Sequence, residues 1–205
     1  MARLSVVLTH VLSVAGSAFD KATSHPQQHS TECARLEAPS SLTWLLQDQP
    51  FEQEDPSAFF YVNQDIDASG NKANRVAQLV TFGASLEAEP TDCRLVFAMP
   101  EDSESWGLIQ REGATTLRVF KVPADATDDD AVRQKRNLLG TVKVRPGTQM
   151  IDLGRCDGGG SFVFELADAG RSRVAFRQAS KPEDGFGVFM GSGCPKIQSS
   201  DPEDL

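Results

Sequence analysis

Short runs in which apolar and polar residues alternate, separated by Gly, Pro and Asp, fill residues 57–195 and leave this chain few architectures to choose from. A period of two sends successive side chains to opposite faces of an extended strand. Turn residues recurring every 8–12 positions or so are the spacing of an all-β sandwich. Nine segments qualify: Phe59 to Val62, Arg75 to Phe82, Cys93 to Met99, Thr115 to Val122, Leu138 to Val144, Gln149 to Leu153, Ser161 to Leu166, Arg173 to Gln178 and Phe186 to Met190. The alternation is plainest from Leu117 to Val122 and from Thr141 to Arg145, where Arg118, Lys121, Lys143 and Arg145 are expected to face water. Pro146-Gly147 and Asp157-Gly158-Gly159-Gly160 punctuate the runs as turns. The expected fold is all-β, an antiparallel β-sandwich of about nine strands.

The flanks read differently. Met1 to Ala18 has a short positive start at Arg3, an apolar stretch from Leu4 to Val14 and small residues at Gly16-Ser17-Ala18, the pattern of a secretory signal peptide. That stretch is too short to span a bilayer, which takes roughly 20 apolar residues, so membrane insertion is not expected. Residues 19–56 are rich in Ser, Gln, Pro and acids and read as an irregular lead-in, with one apolar docking cluster at Leu42, Trp44, Leu45 and Leu46. Residues 124–137 form an insertion between two strands, and residues 196–205 an acidic tail expected to be disordered. The expected localisation is extracellular.

Charge and histidine content exclude whole classes of function. Lys+Arg 20 against Asp+Glu 29 gives a net charge of −9, which repels phosphate backbones and argues against a nucleic-acid partner. The 3 histidines are His10, His25 and His29, all ahead of the expected sandwich. A Ser-His-Asp or Cys-His site needs its base held within about 3 Å of the nucleophile, which an irregular lead-in does not provide. Glycoside hydrolysis needs only two carboxyl groups, so it survives as a class. Among the acids, Glu165 stands out because it sits inside a strand, where alternation with Phe164 and Leu166 is expected to turn it to solvent.

Several groups of residues carry possible chemistry. Cys33, Cys93, Cys156 and Cys194 are too far apart for zinc-ligand spacing and read as two disulfides, with three pairings open. Asp65, Asp67 and Ser69, followed by Gly70, match the first half of a calcium-binding loop. The twelfth position is Val76 rather than a bidentate acid, so the alternative is an Asx-rich turn. Trp106 and Tyr61 are the candidate platforms for stacking on a sugar, Trp106 being the better placed by its loop-like context. Arg133, Lys135 and Arg136 form a dibasic site open to processing proteases. The glycine-rich segments lack the frame of a phosphate loop or a nucleophile elbow, and no cofactor is expected.

One set of residues points to a family. Cys93-Arg94-Leu95-Val96-Phe97-Ala98-Met99-Pro100, then Gly113 with Leu117 to Phe120, then Gly140 to Gly147, then Cys156, then Phe162 to Leu166, follow one another in an order and spacing that resemble the But-two C-terminal domain of the fungal ubiquitin-3-binding protein family, over Val76 to Met190. The resemblance implies a secreted β-sandwich without assigned activity, and places Cys93 and Cys156 at matching family positions. It therefore implies the pairing Cys93 to Cys156 and, by remainder, Cys33 to Cys194. The expected function is a non-catalytic binding or structural module at a fungal or host surface, monomeric, with a protein or glycan partner. The alternatives are a histidine-free carbohydrate-active enzyme built on acidic residues and, from the family name, an intracellular binder of a ubiquitin-like-modifier activating enzyme.

Overall fold

The computed structural model describes residues 33–48, 52–54, 58–84, 91–123, 136–156 and 158–194. The expected signal segment, the three histidines, residues 124–135 of the insertion and the acidic tail lie outside the described residues. The strands are β1 (Arg35–Glu37), β2 (Ser41–Leu46), β3 (Glu52–Glu54), β4 (Phe59–Ile66), β5 (Lys72–Phe82), β6 (Thr91–Met99), β7 (Gln110–Glu112), β8 (Thr116–Val122), β9 (Asn137–Lys143), β10 (Gly147–Cys156), β11 (Gly160–Leu166), β12 (Ser172–Arg177) and β13 (Gly187–Ser192). One short helix, α1 (Ser103–Trp106), precedes β7.

Two antiparallel sheets pack as a sandwich. The smaller has the order β1-β13-β6-β10, and the larger, which is curled, runs β7-β12-β4-β5-β11-β8-β9, with β2 added to β5 and β3 to β2. The nine expected segments all form strands, β4 to β6 and β8 to β13. Residues 35–54 differ from expectation. The region read as an irregular lead-in supplies β1 to the smaller sheet and β2 and β3 to the larger. Its polar residues masked a strand whose Leu42 and Leu45 are both buried, one against each side of the larger sheet. The eleven-residue β5 is long enough to pair with β2, β4 and β11 at once.

Phenylalanine fills the space between the sheets. Phe60 stacks on Phe176 at 4.7 Å and meets Phe164 edge-on at 5.3 Å, while Phe97 from the smaller sheet lies 6.2 Å from Phe176 and 6.3 Å from Phe60. Stacked and edge-on rings at these separations attract one another, and each fully buried ring contributes about 1.5–3 kcal/mol by burial. Leu95 to Met99 on β6 are buried without a break, because Val96 and Ala98 join Phe189 in a second cluster on the far side of the smaller sheet. Continuous apolar runs are the mark of strands covered on both faces.

Buried polar side chains complete the main-chain hydrogen bonding where strands diverge. The Gln78 amide accepts from the Tyr61 N–H and donates to the Thr43 and Leu79 carbonyls. Gln178 does the same for Val188, accepting from its N–H and donating to its carbonyl. Gly113 turns the chain from β7 into β8 with φ +67°, and a Cβ there would collide with the Arg171 carbonyl oxygen.

Candidate functional site

Two disulfides join Cys93 to Cys156 and Cys33 to Cys194, leaving no free cysteine among the described residues. The first links the paired strands β6 and β10 beside a bulge between Asp152 and Gly154. The second closes 161 residues and lies over Gly191, where a Cβ would come within 2.7 Å of the Cys33 sulfur. Glycine at that strand position makes room for the bridge. In the chain-entropy view the loops of 63 and 161 residues are worth about 4 and about 5 kcal/mol.

The calcium-like loop is the β4 to β5 hairpin, and its carboxylates are occupied by the protein. Asp67 Oδ1 accepts from the main-chain N–H groups of Ser69 and Asn71, both at 2.8 Å. The Asn71 N–H, against slight desolvation and helped by Ser69, holds the Asp67 carboxyl below its ordinary value. Asp65 receives the Asn74 amide at 3.1 Å and faces Arg171 at 3.7 Å. Asp65, Asp67 and Ser69 thus build an Asx turn and its flanks, and among the described residues no group of three or more His, Cys, Asp or Glu is placed to hold a metal ion.

The two aromatic candidates separate. Trp106 ends α1, whose start is capped by the Asp102 carboxylate accepting from the Ser105 N–H at 2.7 Å. Its ring packs against the main core, and the Arg111 guanidinium lies 4.6 Å over it. Trp106 is therefore not the open platform its loop-like context suggested. Tyr61 is different. It lies on β4, where it alternates with inward-facing Phe60 and Val62, and its ring sits 5.4 Å from Trp44. Tyr61 lines a hollow of about 290 Å³ together with Asp48, Asn63, Asp65, Arg75 and Arg173.

A second hollow, of about 180 Å³, shares Asn63, Arg75 and Val76 with the first. Its remaining wall includes Gln47, Gln64, Lys72, Arg118, Arg136 and Glu165. Here the expectation for Glu165 is corrected. Its side chain is only 8% exposed, with Arg136 at 2.6 Å, Arg118 at 3.5 Å and the Gln47 amide donating to the oxygen that Arg136 also holds. Alternation does turn Glu165 away from the core, but that side is covered too. Leu45, Ala77, Val122 and Val163 are buried there, with Leu79 and Phe120 against them. Apolar residues at both parities, Phe162, Val163 and Phe164 in succession, were the available signal that the strand is buried twice over. An acid on such a strand needs partners.

Arg136 also changes meaning. Of the dibasic motif, Arg133 and Lys135 lie outside the described residues, whereas Arg136 is 20% exposed, stacked 4.6 Å over Phe120 and paired with Glu165. It is a wall of the hollow. Beside it, Arg75 binds Asp48 through its side chain at 2.6 Å and its main-chain N–H at 2.8 Å. Partial burial works to raise the Asp48 pKa, and the hydrogen bonds and charge of Arg75 outweigh it, so the carboxyl lies below its ordinary value. Gln47, Arg75 and Arg118 were not legible as site residues, since nothing local marks them. No family model matches the chain, and no curated protein or solved structure matches it either.

Proposed function

We propose that the chain is an exported, non-catalytic binding module that holds a saccharide in the groove formed by the two adjoining hollows on the larger sheet. The observation that carries this reading is Tyr61, an aromatic ring set in a concavity among amide, carboxylate and guanidinium groups. Sugars present alternating apolar ring faces and hydroxyl edges, which suit such a mixed surface. The two hollows together reach the size of small-ligand sites. Export is supported by the two disulfides, which persist in oxidising compartments, and by the signal-like pattern of Met1 to Ala18. The resemblance to the But-two C-terminal domain points the same way, toward a secreted sandwich rather than an intracellular binder.

Binding is favoured over hydrolysis because the acids at the groove are committed. Glu165 and Asp48 are held by guanidinium groups, and Asp65 accepts from the Asn74 amide and faces Arg171, whereas a glycosidase needs one carboxyl free to give up a proton and a second to attack or to activate water. The test is a saccharide array probed with the secreted protein and with Tyr61→Ala. Retention of a defined set of glycans by the first and a loss of about tenfold in affinity by the second is the expected result. Failure to retain any saccharide, or equal retention by the variant, would overturn the reading.

A further inference from the structure

We infer that the smaller hollow selects an acidic saccharide, binding the carboxylate of a uronic acid unit between Arg118 and Lys72; this rests on the saccharide reading above and adds the charge of the ligand. Four cations line the hollow, Lys72, Arg75, Arg118 and Arg136, in a chain whose net charge is −9. Their internal partners do not suffice. Arg75 is matched by Asp48 and Arg136 by Glu165, each at 2.6 Å. Arg118 reaches the Glu165 oxygen at 3.5 Å and lies 5.7 Å over the Phe120 ring, with its Nε buried and without a hydrogen-bond partner. Lys72 donates to the main-chain carbonyl of Asp168 at 3.0 Å, a dipole rather than a charge.

Lys72, Arg118 and Arg136 line the hollow together with one carboxylate, Glu165, so a further anion entering it relieves their mutual repulsion. A half-exposed guanidinium is suited to a carboxylate, which its terminal N–H groups can bind through two parallel hydrogen bonds, the buried Nε taking no part. The neighbouring hollow then offers the Tyr61 ring to the adjacent sugar unit. Lys72 is exposed and Arg118 is half-exposed, so a ligand can reach both from solvent. Net repulsion by the rest of the acidic surface makes non-specific capture of a polyanion unfavourable and leaves the hollow as the place where one is tolerated.

The experiment is titration calorimetry of the disulfide-intact protein with a short oligogalacturonate and with a neutral galacto-oligosaccharide of equal length, at low and high salt. The expected result is binding of the acidic probe at least about tenfold tighter than the neutral one, weakened by salt. Arg118→Gln should weaken the acidic probe by about tenfold and so erase its advantage over the neutral probe. Lys72→Gln, at an exposed strand end, gives the same test with a smaller loss should the first variant not fold. Equal binding of the two probes overturns this inference while the saccharide reading stands. Binding of neither overturns both. Acidic binding untouched by both substitutions overturns the assignment to this hollow.

Discussion

Along β11, Phe162, Phe164 and Leu166 face the smaller sheet while Val163 and Glu165 face away from it, and all five are buried. The two sides are buried by different physics. On the inner side phenylalanine rings from both sheets interlock, so position is set by shape. On the outer side Val163 packs in a small apolar cluster, and two residues further on Glu165 sits among cations and an amide at a concavity. The difference teaches that a strand covered on both faces need not carry two equivalent cores. One face can be closed by packing and the other closed in part by charge pairing, which leaves a polar hollow open to solvent.

The sharpest way to break this comparison is on the inner face. Phe164→Ala should lower unfolding free energy by about 3–5 kcal/mol, the cost of deleting a core ring, read as a shift in urea midpoint with unchanged slope. A loss under 1 kcal/mol or so would mean the interlocked rings do not carry the inner face. On the outer face Glu165→Gln should cost about 1.5–3 kcal/mol by removing a charged hydrogen-bond acceptor. Most of that cost should vanish in an Arg136→Met background, a double-mutant cycle that distinguishes a specific pair from general destabilisation. Val163→Ala, apolar and on the same face as Glu165, should lose about 1–2 kcal/mol and show no coupling to Arg136.

The smallest effects belong to the exposed turns. Asp48, Asp67 and Asp102 all lie below their ordinary value of 3.8. Because the folded form binds protons less readily than the unfolded chain, their contribution is fully present above the ordinary value. It is lost as pH falls through the lowered native values. A thermal melt series should therefore fall in the acid range below about pH 4 and, among these three groups, show no dependence near neutrality. Millimolar calcium should leave the melting temperature unchanged, since Asp67 Oδ1 already accepts two main-chain N–H groups and Oδ2 faces the Asn71 side-chain amide. A calcium-dependent rise would restore the metal reading of that hairpin.

Much of the fold could be read from the chain because the nine strands of residues 57–195 carry their own local signal, alternation bounded by turn residues. β1, β2 and β3 could not, because β1 is held by distant β13 and β2 by distant β5, and β3 in turn pairs with β2. Strand propensity is largely a report of such neighbours, and short segments rich in polar residues disclose nothing alone. The site followed the same rule. Tyr61 was visible as an aromatic, and Glu165 as an acid inside a strand, but Trp106 looked open only because its loop-like sequence concealed the cover provided by Arg111.

The amino-acid sequence by itself determined an all-β chain with four cysteines able to form two bridges and with no histidine beyond residue 29, because period, turn chemistry and composition are local properties. Tertiary structure alone decided that the outer side of β11 is covered as well as the inner, and that Gln47, Arg75, Arg118 and Arg136 converge with Glu165. Alternation specifies that neighbours point apart. Only the curl of the sheet and the pairing of distant strands determine what each of them meets.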